Sequence, residues 1–265
     1  MPASSVPRSG AAAAAQRKVY LFATCVIDLF APQAGIDAVD VLERLGVSVH
    51  FPENQTCCGQ PGYTTGFPEE ARRVAAAQLN LFPEPWPIVV PSGSCGGMLR
   101  HHWRKLFADD AGRLAKANDI AARTVEFTDY VVNVLGLALP HDAAGPAVKV
   151  ALHTSCSARR EMGTLPAGRA ALAGLPGVEL VVHDHEAECC GFGGTFSVKH
   201  PEISAAMAAD KLAAIKATGC DRLVSADCGC LLNLNLSLEK RGDALRGEHI
   251  ASFIRSRLDA AERRS

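Results

Sequence analysis

Cysteine is the residue through which this chain can do chemistry: ten occur among 265 residues. Two stand side by side in Thr56-Cys57-Cys58-Gly59, and two more in Glu188-Cys189-Cys190-Gly191. Adjacent cysteines do not readily form a disulfide with each other. Both can face one metal centre where the backbone turns sharply, and the glycine that follows permits such a turn. Thiolates are soft ligands that select zinc or iron–sulfur centres over magnesium or calcium. The other cysteines repeat in register with these pairs. Cys25 precedes Cys57 by 32 positions, and Cys156 precedes Cys189 by 33. Cys58 precedes Cys95 by 37, while Cys190 precedes Cys228 by 38 and Cys230 by 40. Structural zinc usually takes ligands from compact Cys-x2-Cys knuckles. Here each candidate set draws on three separated segments, which suits a larger inorganic core with several irons.

The elements between these cysteines repeat as well. Val19–Thr24 is a short apolar run that predicts a buried strand with Cys25 at its carboxyl end. Pro32 and Gly35 open a helix with Ile36, Val39, Leu42 and Leu45 on its apolar face, and Gly46 stops it. Val47–Phe51 predicts a strand leading to Cys57-Cys58, and Pro68-Glu69-Glu70 starts a helix to Leu81. Ile88–Val90 predicts a strand ending at Ser92-Gly93-Ser94-Cys95, a helix follows from about Met98 to Phe107, and Asp129 caps another to Leu135. After a linker at 137–147 the order restarts: a strand at Val148–His153 near Cys156, a helix at about 167–174, and a strand at Val178–Val182 before Cys189-Cys190. A helix from Pro201 to Lys216, a strand at Leu223–Ser225 before Asp227-Cys228-Gly229-Cys230 and a helix from about His249 to Ala261 complete the series. Alternating strands and helices favour parallel sheets, in which loops at strand carboxyl ends meet in one crevice. The expected fold is α/β, with two pseudo-symmetric, Rossmann-like parallel-sheet cysteine-rich domains at 18–136 and 148–265 after a disordered leader at 1–17.

Composition narrows the class. The formal net charge is −1, which gives no electrostatic footprint for nucleic acid or a membrane surface. No run of eighteen apolar residues is present, and the alanine run at 11–15 is too short for a signal sequence. The expected location is the cytoplasm, where clustered cysteines are metal ligands or redox groups more often than disulfides.

Cys-x31-Cys-Cys-x36-Cys-Gly-Gly, Cys-x32-Cys-Cys, the string Gly191-Phe192-Gly193-Gly194-Thr195-Phe196-Ser197 and the string Asp227-x-x-Cys230-Leu231-Leu232-Asn233 carry a resemblance. The chain resembles, over about 18–258, the tandem CCG cysteine-rich proteins. These include the cysteine-rich subunit of heterodisulfide reductase, the glycolate oxidase iron–sulfur subunit and the lactate-utilisation iron–sulfur proteins. The resemblance implies an iron–sulfur centre at each motif, one or two [4Fe–4S] clusters in all, bound by Cys25, Cys57, Cys58 and Cys95 and by Cys156, Cys189, Cys190 and Cys230, with Cys228 as a further candidate. The family pattern ends in Cys-x2-Cys and gives five cysteines per site. This chain has Met98 where the first fifth cysteine would fall, and Cys-x-Cys in the second half. A noncubane cluster, a cubane and a smaller four-ligand cluster all remain open.

The function implied is that of an iron–sulfur electron-transfer subunit of a multi-protein L-lactate (2-hydroxyacid) oxidising system, an oxidoreductase component that needs partner subunits. Two rivals stand beside it: a heterodisulfide or thiol–disulfide reductase acting at the cluster, and a zinc-bound structural module. Among other residues, His153 is the best of His153, His183 and His185 as a group touching a ligand, with polar surface the default for all three. His101, His102 and Trp103 read as ordinary solvated or packing residues. Asp28 and Asp227 read as turn caps, Lys199 and Lys211 as solvated, and Cys220 as structural. Gly191-x-Gly193-Gly194 lacks the spacing of a dinucleotide fingerprint.

Overall fold

Parallel strands pair only through crossover connections, which the helices between the short apolar runs supply, and every strand pairing among the described residues is parallel. The computed structural model describes residues 18–137 and 145–263; the expected leader and 138–144 of the expected linker lie outside the described residues. β1 (Lys18–Leu21), β2 (Ser48–His50), β3 (Ile88–Val90) and β4 (Thr124–Glu126) form one sheet in the order β2-β1-β3-β4. β5 (Val148–His153), β6 (Val178–Val181), β7 (Arg222–Ser225) and β8 (Gly247–His249) form the other in the order β6-β5-β7-β8. The two halves therefore share one topology. In each, the chain changes direction across the sheet at the central pair, β1/β3 or β5/β7, where such sheets place their ligand crevice.

Several elements differ from the sequence expectation. β4 and β8 are extra strands; Thr-Val-Glu and Gly-Glu-His carry no apolar run to announce them. Helices at Ala111–Arg123 and Cys228–Lys240 are likewise additional. The helix Pro32–Arg44 buries Ala34, Asp37, Ala38, Val41 and Leu42, whereas Ile36 is 60% exposed. Its buried face is turned because Ala38, Val41 and Leu42 pack with Ile250, Ala251 and Ile254 of the last helix, Ile250–Glu262. Glu126, not Asp129, caps the helical segment Phe127–Val134: its Oε2 accepts from the Thr128 and Asp129 amides at 2.9 and 3.2 Å.

One apolar core runs through both sheets. It joins Val19, Leu21, Leu42, Val89 and Phe127 to Val150, Leu152, Val224, Phe253 and Ile254. Such a shared core couples the stability of the two halves. Both tryptophans, Trp86 and Trp103, lie in the first half. Phe253→Ala, in the second half, is expected to cost roughly 3–5 kcal/mol. It should shift the tryptophan-fluorescence unfolding transition together with the circular-dichroism transition; a shift in only one would break the coupling.

Candidate metal centres

The loops after β1, β2 and β3 bring one set of sulfurs together. Cys25 is not the end of a strand but the first residue of the helix Cys25–Phe30, positioned by Thr24, whose Oγ1 accepts from the Ile27 amide at 3.3 Å. Cys95 lies in the first turn of the helix Gly93–Gly97, which starts earlier than expected because Ser92 caps it. Cys57 and Cys58 precede Gly59, at φ +88°, the left-handed conformation open to glycine. The Cys25 thiol donates to Cys57, and the one Cys58 proton serves either Cys57 or Cys95, whose sulfur lies 3.3 Å away. The Gly59 amide reaches the Cys57 sulfur at 3.4 Å. Those donations hold Cys57 as a thiolate, its pKa pushed down to about 3, while the Cys25 and Cys58 thiols are pushed up by their hydrogen bonds to Cys57 and by burial.

The second half repeats this arrangement. Cys156 donates to Cys189, and the one Cys190 proton serves either Cys189 or Cys230. The Gly191 amide, at φ +87°, reaches the Cys189 sulfur at 3.4 Å, and the Cys189 thiol is pushed down to about 2. Sulfurs therefore run in the same chain order, 25–57–58–95 and 156–189–190–230. All eight cysteines expected from the repeat are brought together, four per half. Cys220 is in neither set; it packs beside the apolar cluster of the second sheet, as expected.

The two sulfur sets face each other across a seam. A cavity of about 230 Å³ fronts each set, and Gln60, Pro61, Ser94, Phe192, Gly194 and Gly229 wall both. Asp227 fixes the seam: its buried Oδ1 accepts from Ser92 Oγ and Ser94 Oγ, each at 2.7 Å, and from the Ser94 amide at 3.1 Å. His249 Nε2 lies 3.1 Å from the carbonyls of both Pro91 and Ala226. Asp227 is thus a cap position used across the halves, whereas Asp28 is exposed. Cys228 faces the first cavity rather than the second, buried against Ile27 and Ala34, its thiol pushed up to about 12 by burial and then by Asp227.

Several neighbours depart from the bland expectation. Lys211 is not solvated but 0% exposed, its amine donating to the carbonyls of His185 and Glu186 just before Cys189. Gln78 does the same in the first half, pairing with the amide and hydroxyl of Thr56 just before Cys57. His153 and His183 are buried, not surface, and burial pushes them down to about 3 and about 4. Trp103 Nε1 donates to the Cys58 carbonyl, and Asn233 Nδ2 to the Cys190 carbonyl, both at 2.9 Å. His101 and His102 cross the seam to the carbonyl and carboxylate of Glu161 at 2.9 and 2.7 Å.

The same two segments match a family model: the cysteine-rich (CCG) domain, over 19–100 and again over 150–235. The chain belongs to the CCG cysteine-rich family. It is 42% identical to Lactate utilization protein A of Shouchella clausii, over 90% of this chain and 99% of that protein. Identity to Lactate utilization protein A of Bacillus subtilis is 40%, over 91% of this chain and all of that protein. A crystal structure of a hypothetical protein from Helicobacter pylori shares the fold at a TM-score of 0.64 and 12% identity; it covers 92% of this chain, which spans about half of that one. CCG cysteines clustered in this way form sites for a metal or an iron–sulfur centre, and among the described residues no helix is long and apolar enough to cross a membrane.

Sequence reasoning passed over Ser92, Ser94, Gln78, Glu161 and the role of Asn233. Gln78 and Lys211 left one signal: each stands ten positions after the proline that opens its helix, Pro68 or Pro201. Two outcomes follow from the geometry of the CCG turns and the seam. A Cβ at Gly191 would sit 2.6 Å from the Ser204 carbonyl, while at Gly66, also left-handed at φ +86°, it would meet nothing within 4 Å. Gly66→Ala is expected to cost about 1–2 kcal/mol, and Gly191→Ala clearly more, with bound metal lost from the second site; equal costs in chemical unfolding would contradict this. Burial raises Glu126 to about 8 from an ordinary 4.5. The folded chain then keeps a proton that the unfolded chain releases, so Glu126 makes stability fall as pH rises from about 4.5 to 8, by up to roughly 1.4 kcal/mol per unit. Glu126→Gln should flatten that slope relative to wild type in pH-dependent unfolding; an unchanged slope would contradict the burial.

Proposed function

We propose that the chain is the iron–sulfur electron-transfer subunit of a multi-protein system that oxidises L-lactate. The observation that carries this reading is the pair of four-sulfur sets, each strung along one side of a cavity of about 230 Å³. A structural zinc ion is closed on by four ligands around one point. Sulfurs arrayed beside an open space, with a glycine amide aimed at one of them in each half, suit a cluster core whose sulfur atoms take amide hydrogen bonds. Cys25, Cys57, Cys58 and Cys95 would hold one [4Fe–4S] centre, and Cys156, Cys189, Cys190 and Cys230 the other. When bound, such centres pass electrons singly.

The residues of this chain supply the rest of the work. Gln78 and Lys211 fix the two Cys-Cys loops, and Asp227 with Ser92 and Ser94 holds the two cavities face to face. Phe192, Pro61 and the glycines make the shared wall largely apolar, and an apolar surround limits solvent access and tunes a centre's potential. Asp227 Oδ1 is engaged by the hydroxyls of Ser92 and Ser94 and serves to hold the wall; in this reading, taking hydride and proton from a 2-hydroxyacid belongs to a partner subunit. The lactate assignment rests on the similarity to Lactate utilization protein A over nearly its whole length. The expected partners are the other subunits of that system, and the expected site of action is the cytoplasm.

A second reading, reduction of a disulfide at a centre, is favoured by the opening of the second cavity beside Cys156 and Cys189, both half-buried. Anaerobic visible spectroscopy separates the two. L-Lactate is expected to bleach the charge-transfer absorbance of this chain only when the partner subunits are present. Reoxidation of the pre-reduced chain by a disulfide alone, with no response to lactate and partners, would instead support the second reading.

A further inference from the structure

We propose that His153 supplies a nitrogen ligand to the metal centre of the second half, so that the two centres of one chain differ in donor set. The proposal rests on the iron–sulfur reading above. His153 is the last residue of β5 and is 1% exposed. Neither of its ring nitrogens has a hydrogen-bond partner among the described residues. One of its nitrogens and the sulfurs of Cys190 and Cys230 all lie within 4.8 Å of one another. A buried polar group left without a partner is costly, so a ring kept at this place needs a compensating bond. Metal ligation provides one, since imidazole is a good ligand for iron and zinc.

The first half shows what the position holds when no ligand is built there. Phe22 stands three residues before Cys25, as His153 stands three before Cys156. Phe22 is fully buried, with Phe82 and Trp103 at ring-centroid distances of 6.2 and 6.5 Å. The same backbone position thus carries packing in one half and a donor in the other. A ligating imidazole normally gives its second nitrogen to an oxygen. A cavity of about 10 Å³ beside the ring, walled by Thr128, Thr154 and Ser155, has room for one water to serve it.

The neutral nitrogen brings no negative charge, and the buried amine of Lys211 lies near enough to Cys190 and Cys230 to act on them. Both features raise the potential of the second centre over the first. Electrons arriving at the first centre would then move to the second.

The test is pulsed electron paramagnetic resonance on the full chain, loaded with iron anaerobically and reduced with dithionite, with the first centre silenced by Cys57→Ser and Cys58→Ser. Iron and sulfide are measured first; a chain that takes up no iron overturns the iron–sulfur reading and this proposal with it. With iron bound, a strong nitrogen hyperfine coupling is expected. It should change on labelling histidine with nitrogen-15, vanish in His153→Phe and persist in His183→Gln. In His153→Cys, which exchanges a neutral donor for an anionic one, the midpoint potential of the second centre should fall. Iron bound with only the weak couplings of backbone amides, unaltered by histidine labelling, would overturn the nitrogen ligand and leave the iron–sulfur reading standing.

Discussion

Sulfurs drawn from three loops can meet only where the strands that carry those loops all run the same way and end at one edge. That constraint organises this molecule twice. Both sheets are wholly parallel, both reverse direction at their central strand pair, and both place cysteines at the reversal. The glycines after each Cys-Cys pair complete the device. They take a conformation closed to other residues at low cost, and their amides turn back onto the first sulfur of the pair. Without the parallel edge the loops would not converge; without the left-handed turn the two neighbouring sulfurs would not face one centre.

Gathering ionisable sulfurs also carries an electrostatic cost. Like charges this close cannot all ionise, and the neighbouring thiols favour the thiolate at Cys57 and at Cys189. A bound cation reverses that balance, because it favours the deprotonated form of every sulfur that it touches. The protein around the sulfurs must therefore be held by something other than the sulfurs. The Asp227–Ser92–Ser94 bonds, the His249 bridge and the continuous apolar core do this. They join the halves, so the two sulfur sets share walls.

Much of this was legible in the residue pattern. The cysteine register disclosed the duplication, and short runs such as Val148–His153 and Ile88–Val90 located the central strands to the residue. What escaped has physical causes. β4 and β8 are edge strands of three residues whose burial comes from helices packed on them, not from their own composition. The face of the helix Pro32–Arg44 is set by a helix more than two hundred residues away, and small alanines rather than Ile36 fit that contact. Lys211 looks like surface in the sequence because its partners are backbone carbonyls, which no residue type announces. Cys228 belongs by position to the second half and by space to the first cavity, a swap visible only once the seam is formed. The halves have thus diverged at matched places: Gln78 against Lys211, and Phe22 against His153.

The most direct measurement is the iron and acid-labile sulfide content of the anaerobically purified chain, compared with Cys57→Ser/Cys58→Ser and Cys189→Ser/Cys190→Ser variants. An iron–sulfur centre on each sulfur set predicts a brown protein with iron and sulfide in matching amounts, each pair of substitutions removing about half and leaving the other half's spectrum intact. A colourless chain carrying one zinc ion per site, or one whose iron vanishes entirely with either pair, would contradict the account.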